Sequence, residues 1–193
     1  MKRWISTGLI LGWLAAGTTM AAPLPGRTAH IDDTVQLLPP IPGDLEKLEA
    51  KLADFERASG IKVLVQFRDQ APSSEEDKVP GAYMHTLALR EGTLQKGILM
   101  VYFSADSDWR IWIGDELVNR FAGKPGTVKK LTADGAIHTA KEAMMNAAQE
   151  RADAGILQLQ KNLPGDEVPG NDLKLRLQTE ALLDALIAKF SKK

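Results

Sequence analysis

Three short acidic clusters are the residues whose type and spacing could do chemistry. They are Asp32-Asp33, Asp106 with Asp108, and Asp115-Glu116. Carboxylates at the ends of strands are suitable ligands for a hard cation such as Ca²⁺. Each cluster also has an ordinary structural explanation, because Asp-Ser-Asp is common in turns and acidic residues favour the positive end of a helix.

Other groups with catalytic potential are sparse. The sequence has no glycine-rich phosphate loop ending in Lys-Ser/Thr, no Gly-x-Ser-x-Gly elbow, no His-Glu-x-x-His and no EF-hand spacing. It has no cysteine, which excludes disulfides, thiolate nucleophiles, cysteine zinc sites and iron–sulfur clusters. His30, His85 and His138 lie far apart, with no acid at ligand spacing, and are interpreted as surface or capping residues.

The composition is typical of a single globular domain. The chain has 193 residues, of which 44% are hydrophobic and 25% charged. Its 24 basic and 25 acidic residues give a formal charge of −1. Because binding to phosphates requires a basic surface, nucleic acid is not an expected partner.

Residues 1–21 have the pattern of a secretory signal peptide. Two basic residues precede an apolar run over residues 5–17, and small residues follow as far as Ala22. The run is shorter than the ~20 apolar residues that span a bilayer, and Pro23 follows at once, so a membrane anchor is the weaker interpretation. We expect cleavage after Ala21 or Ala22 and a periplasmic or secreted protein.

The elements that must position the acidic clusters follow from hydrophobic periodicity. Five prolines predict an extended arm over residues 22–43. Helices are predicted from Asp44 to Gly60, over about 81–92, from about Ile137 with or without a break at Gly155, and over about 172–190. Strands are predicted at 61–67, 97–103 and 109–114, the last two as a β-hairpin. Trp109 and Trp112, the tryptophans that remain after cleavage, should then face opposite sides of the sheet.

This order of elements predicts an α/β fold with a small mixed β-sheet, helices on both faces and a C-terminal helix. The chain divides into a signal peptide (1–21), an arm (22–43), an α/β domain (44–163), a linker (164–171) and an amphipathic helix (172–193). The last helix is too charged to span a membrane. We expect it to dock on a protein surface, of this chain or of a partner, and the domain to fold without it.

Several segments together resemble the TPM domain, named for thylakoid-lumen, photosystem-associated and receptor-auxiliary members. They are Ile31-Asp32-Asp33, Leu45-x-x-Leu48-Glu49-x-x-Leu52, Ser59-Gly60-Ile61-Lys62-Val63, Lys96-Gly97-Ile98-Leu99-Met100-Val101 and Arg110-Ile111-x-Ile113-Gly114. The similarity covers about residues 31–160. It implies an exported αβα sandwich and, for some members, calcium binding or acid phosphatase activity.

The chain departs from the TPM pattern at positions that are commonly acidic in the family. Gln95-Lys96 stands where Asp-Asn precedes the glycine of the central strand, and Val118 stands in the turn where a glutamate is expected. Lys96 would place a positive charge beside a bound cation, which is unfavourable. Asp115 and Glu116 are the neighbouring acids that could substitute, at a different spacing.

The sequence therefore favours a non-catalytic binding or accessory module of the cell envelope, with an envelope protein as partner and no cofactor. The first alternative is a divalent-metal-dependent acid phosphatase, in which the acidic pairs hold the metal, calcium being the candidate. Its candidate ligands are Asp32, Asp33, Asp115 and Glu116. The second alternative is peripheral membrane association through the C-terminal helix.

Overall fold

A four-stranded mixed sheet forms the centre of the fold. The computed structural model describes residues 26–162 and 169–191, so the predicted signal peptide and most of the predicted linker lie outside the described residues. The strands are β1 (Ile31–Asp32), β2 (Val63–Arg68), β3 (Ile98–Phe103) and β4 (Asp108–Ile113), in that order across the sheet. β1, β2 and β3 are parallel, and β4 is antiparallel to β3. The predicted hairpin and the mixed α/β class are confirmed.

Within the described residues, six α-helices surround this sheet. They are α1 (Asp44–Ser59), α2 (Ala82–Arg90), α3 (Val118–Ala122), α4 (Val128–Ala133), α5 (Ala136–Gln160) and α6 (Asn171–Ser191). The short helices α3 and α4 are absent from the sequence prediction because neither is long enough to show a clear period. Part of the predicted arm also differs, since it enters the sheet as the edge strand β1.

The ends of α1 follow from local backbone chemistry. Gly60 has a left-handed φ of 70° and its N–H donates to the Glu56 carbonyl, so the predicted stop is confirmed. Asp44 is predicted as the N-cap, but Gly43 occupies that position with a φ of 80°. Asp44 is instead the first helical residue, and its carboxylate pairs with Arg176 of α6 at 3.1 Å.

The two faces of the sheet are covered differently. On one face, α2 packs Met84, Leu87 and Ala88 onto a small apolar cluster contributed by alternate residues of the strands. On the other face, α1, α3, α5 and α6 bury the remaining alternate residues in a larger core. Helices therefore lie on both faces, as predicted.

Helix α6 belongs to this larger core. Its apolar residues Leu175, Leu182, Leu186 and Phe190 are at most 6% exposed. They pack with α1, α3 and α5, and α5 runs without a break through Gly155. The helix docks on a protein surface, that of its own chain. This burial leads us to expect, contrary to the sequence prediction, that the domain needs α6 to fold. No helix of the described residues has the length and apolar character needed to cross a bilayer.

Candidate functional site

The predicted acids Asp32 and Asp33 are both buried at the end of β1. The Asp33 carboxylate accepts the backbone N–H of Leu37 at 2.8 Å and of Leu38 at 3.0 Å. Burial raises the pKa of Asp33 above its ordinary value although these two bonds oppose the shift. Asp32 accepts the Thr34 hydroxyl at 2.9 Å. Both carboxylates therefore shape the turn that follows β1.

The predicted acids Asp115 and Glu116 lie in a 3-10 turn (Asp115–Leu117) directly after β4. A carboxylate oxygen of Glu116 lies 3.7 Å from the Lys96 ammonium, and the Gln95 amide donates to Asp115 at 3.4 Å. Because β1 and β4 are the two opposite edges of the sheet, the fold does not bring the two predicted pairs together. Within residues 26–162 and 169–191, no three His, Asp or Glu side chains are grouped as metal ligands.

This separation predicts how the protein responds to metal. We expect the melting temperature to stay constant across millimolar Ca²⁺ or Mg²⁺, because each candidate carboxylate already has a partner within the fold. A cation that binds only the native state at a hundredfold excess over Kd would add about 2.7 kcal/mol of stability. Thermal melts with and without metal measure this. A saturable shift accompanied by metal-dependent aryl phosphate hydrolysis, both lost in a variant with Asp115→Asn and Glu116→Gln, would support the phosphatase alternative.

Asp106 and Asp108, the acidic cluster of the hairpin turn, lie beside the side chain of Arg110. The guanidinium nitrogens lie 3.0 Å from a carboxylate oxygen of Asp77, 3.6 Å from Asp108 and 3.9 Å from Asp106. The same guanidinium stacks over the Phe103 ring at 5.1 Å. Asp106 and Asp108 thus surround an internal cation at the hairpin turn, and the loop that contains Asp77 is drawn toward β4.

A groove of about 550 Å³ runs along the outer edge of β4, and we call it the edge groove. Its floor is residues 109–113. One wall is formed by Asp77, Pro80 and the start of α2, and the other by Val128 and Thr132 of α4 with the first half of α5. No strand of the described chain pairs with β4 on this side. The edge groove therefore combines an open sheet edge with apolar walls.

The hydrogen-bond register shows which backbone groups face the edge groove. The Gly114 N–H donates to the Gly97 carbonyl, so alternate residues of β4 bond to β3 and those between them point outward. Trp109, Ile111 and Ile113 are the outward-pointing residues. The Lys141 ammonium of α5 donates to the Ile111 carbonyl at 2.5 Å.

Lys141 is a cation that the sequence analysis did not select. It lines the edge groove, and burial lowers its pKa from the ordinary value. Among the described residues no carboxylate lies within salt-bridge distance of its ammonium, which bonds only to the Ile111 carbonyl. Four acids line the same groove: Asp77, Asp108, Asp115 and Glu142. Among the described lining residues, the lysine and arginine side chains are Lys141 and Arg110.

Trp109 and Trp112 lie at this edge of the sheet. Trp109 packs against Phe67 and Tyr102 on the side of the larger core. Trp112 packs on the α2 side and donates its indole N–H to the Leu94 carbonyl at 3.3 Å. The prediction that they face opposite sides of the sheet is confirmed, and both line the edge groove.

His30 forms a second polar site that the sequence interpretation missed. The residue is buried, and its ring nitrogens lie 2.6 Å from Glu49 and 2.7 Å from Glu56 of α1. The surface interpretation is therefore wrong for His30, whereas His85 and His138 are exposed. Glu49 and Glu56 are seven residues apart, so they share one side of α1. The spacing of Glu49 and Glu56 was the sequence signal for a shared contact. Their partner, His30, precedes β1 and could not be identified from the periodicity of the helix.

The electrostatics of Glu49 reflect this contact. Burial of the carboxyl would raise its pKa, but hydrogen bonds from the Thr28 hydroxyl, the His30 ring and the His30 backbone outweigh burial. The net result is a lowered pKa for Glu49. The His30 cluster, which we define as Thr28, His30, Glu49 and Glu56, thereby holds the chain before β1 against α1.

Comparison with known proteins finds no matching family model, no matching curated protein and no matching solved structure. The resemblance to the TPM domain accordingly remains a prediction from the residues that carry it.

Proposed function

We propose that this chain is an exported, TPM-like, non-catalytic binding or accessory module of the cell envelope, and that the edge groove holds its protein partner. The observation that carries the proposal is the open edge of β4, where three residues direct backbone groups into an apolar-walled groove. Sheet edges of this kind recognise polypeptide, because their main-chain groups pair with an extended segment.

The dimensions and lining of the edge groove support this function. Its volume of about 550 Å³ lies within the range of ligand-binding clefts. Aromatic and aliphatic side chains, among them Trp112, Ile137 and Met145, alternate with charged groups on its walls. Apolar and aromatic side chains interspersed with polar groups are also found at protein interfaces.

A charged side chain introduced into the edge groove is expected to abolish partner binding. Val128 is 37% exposed in the groove wall, whereas Leu157 is 58% exposed and outside the groove. Tagged mature protein carrying Val128→Arg should lose the stoichiometric envelope partner in a pull-down, because the long charged side chain would fill the groove that the partner must enter. Protein carrying Leu157→Arg should retain it.

Cross-linking provides the positional control for this experiment. A photoreactive phenylalanine analogue at position 128 should give a defined cross-linked product in envelope preparations, and the same group at position 157 should not. Equal cross-linking at both positions, or loss of the partner in both arginine variants, would contradict the assignment of the edge groove.

A further inference from the structure

We propose that the partner enters the edge groove as a fifth strand of the sheet, and that the inserted segment alternates apolar and basic residues. This inference rests on the proposed function, since it specifies the partner of the same site. It follows from three features of the edge groove: the backbone groups of β4, the charge of the walls and the position of Lys141.

The outward backbone groups of β4 lie in the lining of the edge groove, where Ile111 and Ile113 are each 5% exposed. Trp109, Ile111 and Ile113 each direct an N–H and a C=O away from β3. Among the described residues, only the Ile111 carbonyl of this outward set has a hydrogen-bond partner, the Lys141 ammonium. An extended segment would pair its main chain with this edge, and its alternate side chains would contact the groove walls.

The charge of the edge groove selects the side chains of that segment. Asp77, Asp108, Asp115 and Glu142 outnumber Arg110 and Lys141 among its lining residues. Asp77 and Asp108 lie within 4 Å of Arg110, and these three side chains together carry one formal negative charge. Asp115, Glu142 and Lys141 together carry one more. A segment that bears lysine or arginine is therefore attracted to these walls, and an acidic segment is repelled. The apolar lining requires the intervening side chains to be apolar.

Lys141 controls access to this edge. Its ammonium occupies the Ile111 carbonyl, which an added strand would use as an acceptor. A lysine at an edge strand also opposes pairing with a second copy of the same sheet. An incoming backbone N–H would displace the ammonium from Ile111. Entry of the strand thus replaces the Lys141 bond to the Ile111 carbonyl with a backbone hydrogen bond. It also adds hydrogen bonds to the other outward backbone groups of β4.

Short peptides with blocked termini test both the strand pairing with β4 and the preference for basic side chains. The probe is a peptide of alternating lysine and valine, added to mature protein while the fluorescence of Trp109 and Trp112 is followed. Two matched peptides carry glutamate in place of lysine, or N-methyl groups on the amides that would pair with β4. We expect each matched peptide to bind at least about tenfold more weakly than the lysine–valine peptide. The N-methylated peptide loses two or three hydrogen bonds, and the glutamate peptide loses the charge attraction. The Trp109 and Ile113 amides should exchange more slowly in the lysine–valine complex.

The outcomes separate this inference from the proposed function. Equal affinity for the N-methylated peptide, or tighter binding of the glutamate peptide, would overturn the fifth-strand inference, while position-specific cross-linking at residue 128 would leave the proposed function intact. Slow amide exchange that depends on protein concentration and needs no peptide would identify a second copy as the occupant and also overturn it.

A lysine variant provides an independent readout. Lys141→Met removes the competing donor from Ile111 and should raise the affinity for the lysine–valine peptide. The exposed Lys129→Met is the matched control and should leave the affinity unchanged. Weaker binding by the Lys141→Met protein, with its fold intact by circular dichroism, would show that the ammonium assists the peptide and would overturn its assignment as a competitor.

Discussion

Leu183→Ala in α6 is expected to lower the free energy of unfolding by about 2–5 kcal/mol, the usual cost of a cavity at a fully buried leucine. Leu183 has no exposed surface and lies in the larger core. Leu157→Ala in α5 is the matched control, because its side chain is 58% exposed, and we expect a change within about 0.5 kcal/mol. Chemical denaturation followed by circular dichroism measures both.

Polar contacts give a second reason to expect that the fold is lost when α6 is removed. Lys51 of α1 donates to Asp184 at 2.7 Å and to Glu180 at 3.2 Å. Arg176, which is 7% exposed, lies between Asp44 and Glu180. A chain that ends at Asn171 would expose the apolar face of α5 and leave Asp44 without its cation. Cooperative unfolding of that truncated chain, or equal destabilisation by the two leucine variants, would show that α6 is an appended element.

The elements that could be predicted are those whose own residues carry the information. β3 is an apolar run and α1 has both a clear period and a glycine stop, so each was identified within a few residues. The strand β1 was missed because it has two residues and depends on parallel pairing with β2, which no local pattern encodes. The sequence predicted that α6 docks on a protein surface, but not that this surface is the larger core of its own chain, where even the charged residue Arg176 is buried with its counterions.

The candidate site was predictable only in part. Trp109 and Trp112 were correctly placed on opposite faces because alternation in a strand is a local property. Lys141 carries no motif, and its position beside Ile111 results from packing of α5 along the edge of the sheet. The four predicted metal ligands show the opposite case, because the two acidic pairs have suitable chemistry but lie at the ends of the two opposite edge strands. Residue type indicates what a side chain can bind, whereas strand order determines which side chains meet.

His30→Ala is expected to destabilise the fold by about 1–3 kcal/mol, the cost of leaving buried polar groups without their partner. The side chain of Glu49 is 22% exposed, so its carboxylate would lose the hydrogen bond to the ring without full access to water, while it keeps those from the Thr28 hydroxyl and the backbone N–H of residue 30. Glu56 is 40% exposed and would be rehydrated, which places the effect below that of a fully buried ion pair. His138→Ala is the matched control, because that ring is 74% exposed beside Glu142, and its stability should match the wild type.

The pH dependence of stability distinguishes the His30 contact from simple loss of packing. The folded-state pKa of Glu49 lies below its ordinary value of 4.5, so its contribution to stability is complete above pH 4.5 and is lost as the pH falls through the lowered value. His30→Ala removes the ring and its bond to Glu49, which raises the folded-state pKa toward the ordinary value. Stability of this variant should therefore fall less steeply than that of the wild type below pH 4.5, in denaturation series at several pH values. If the free energy of unfolding falls equally steeply below pH 4.5 in the two proteins, His30 stabilises the fold through packing alone. A change in the folded-state pKa of Glu49 would alter that pH dependence.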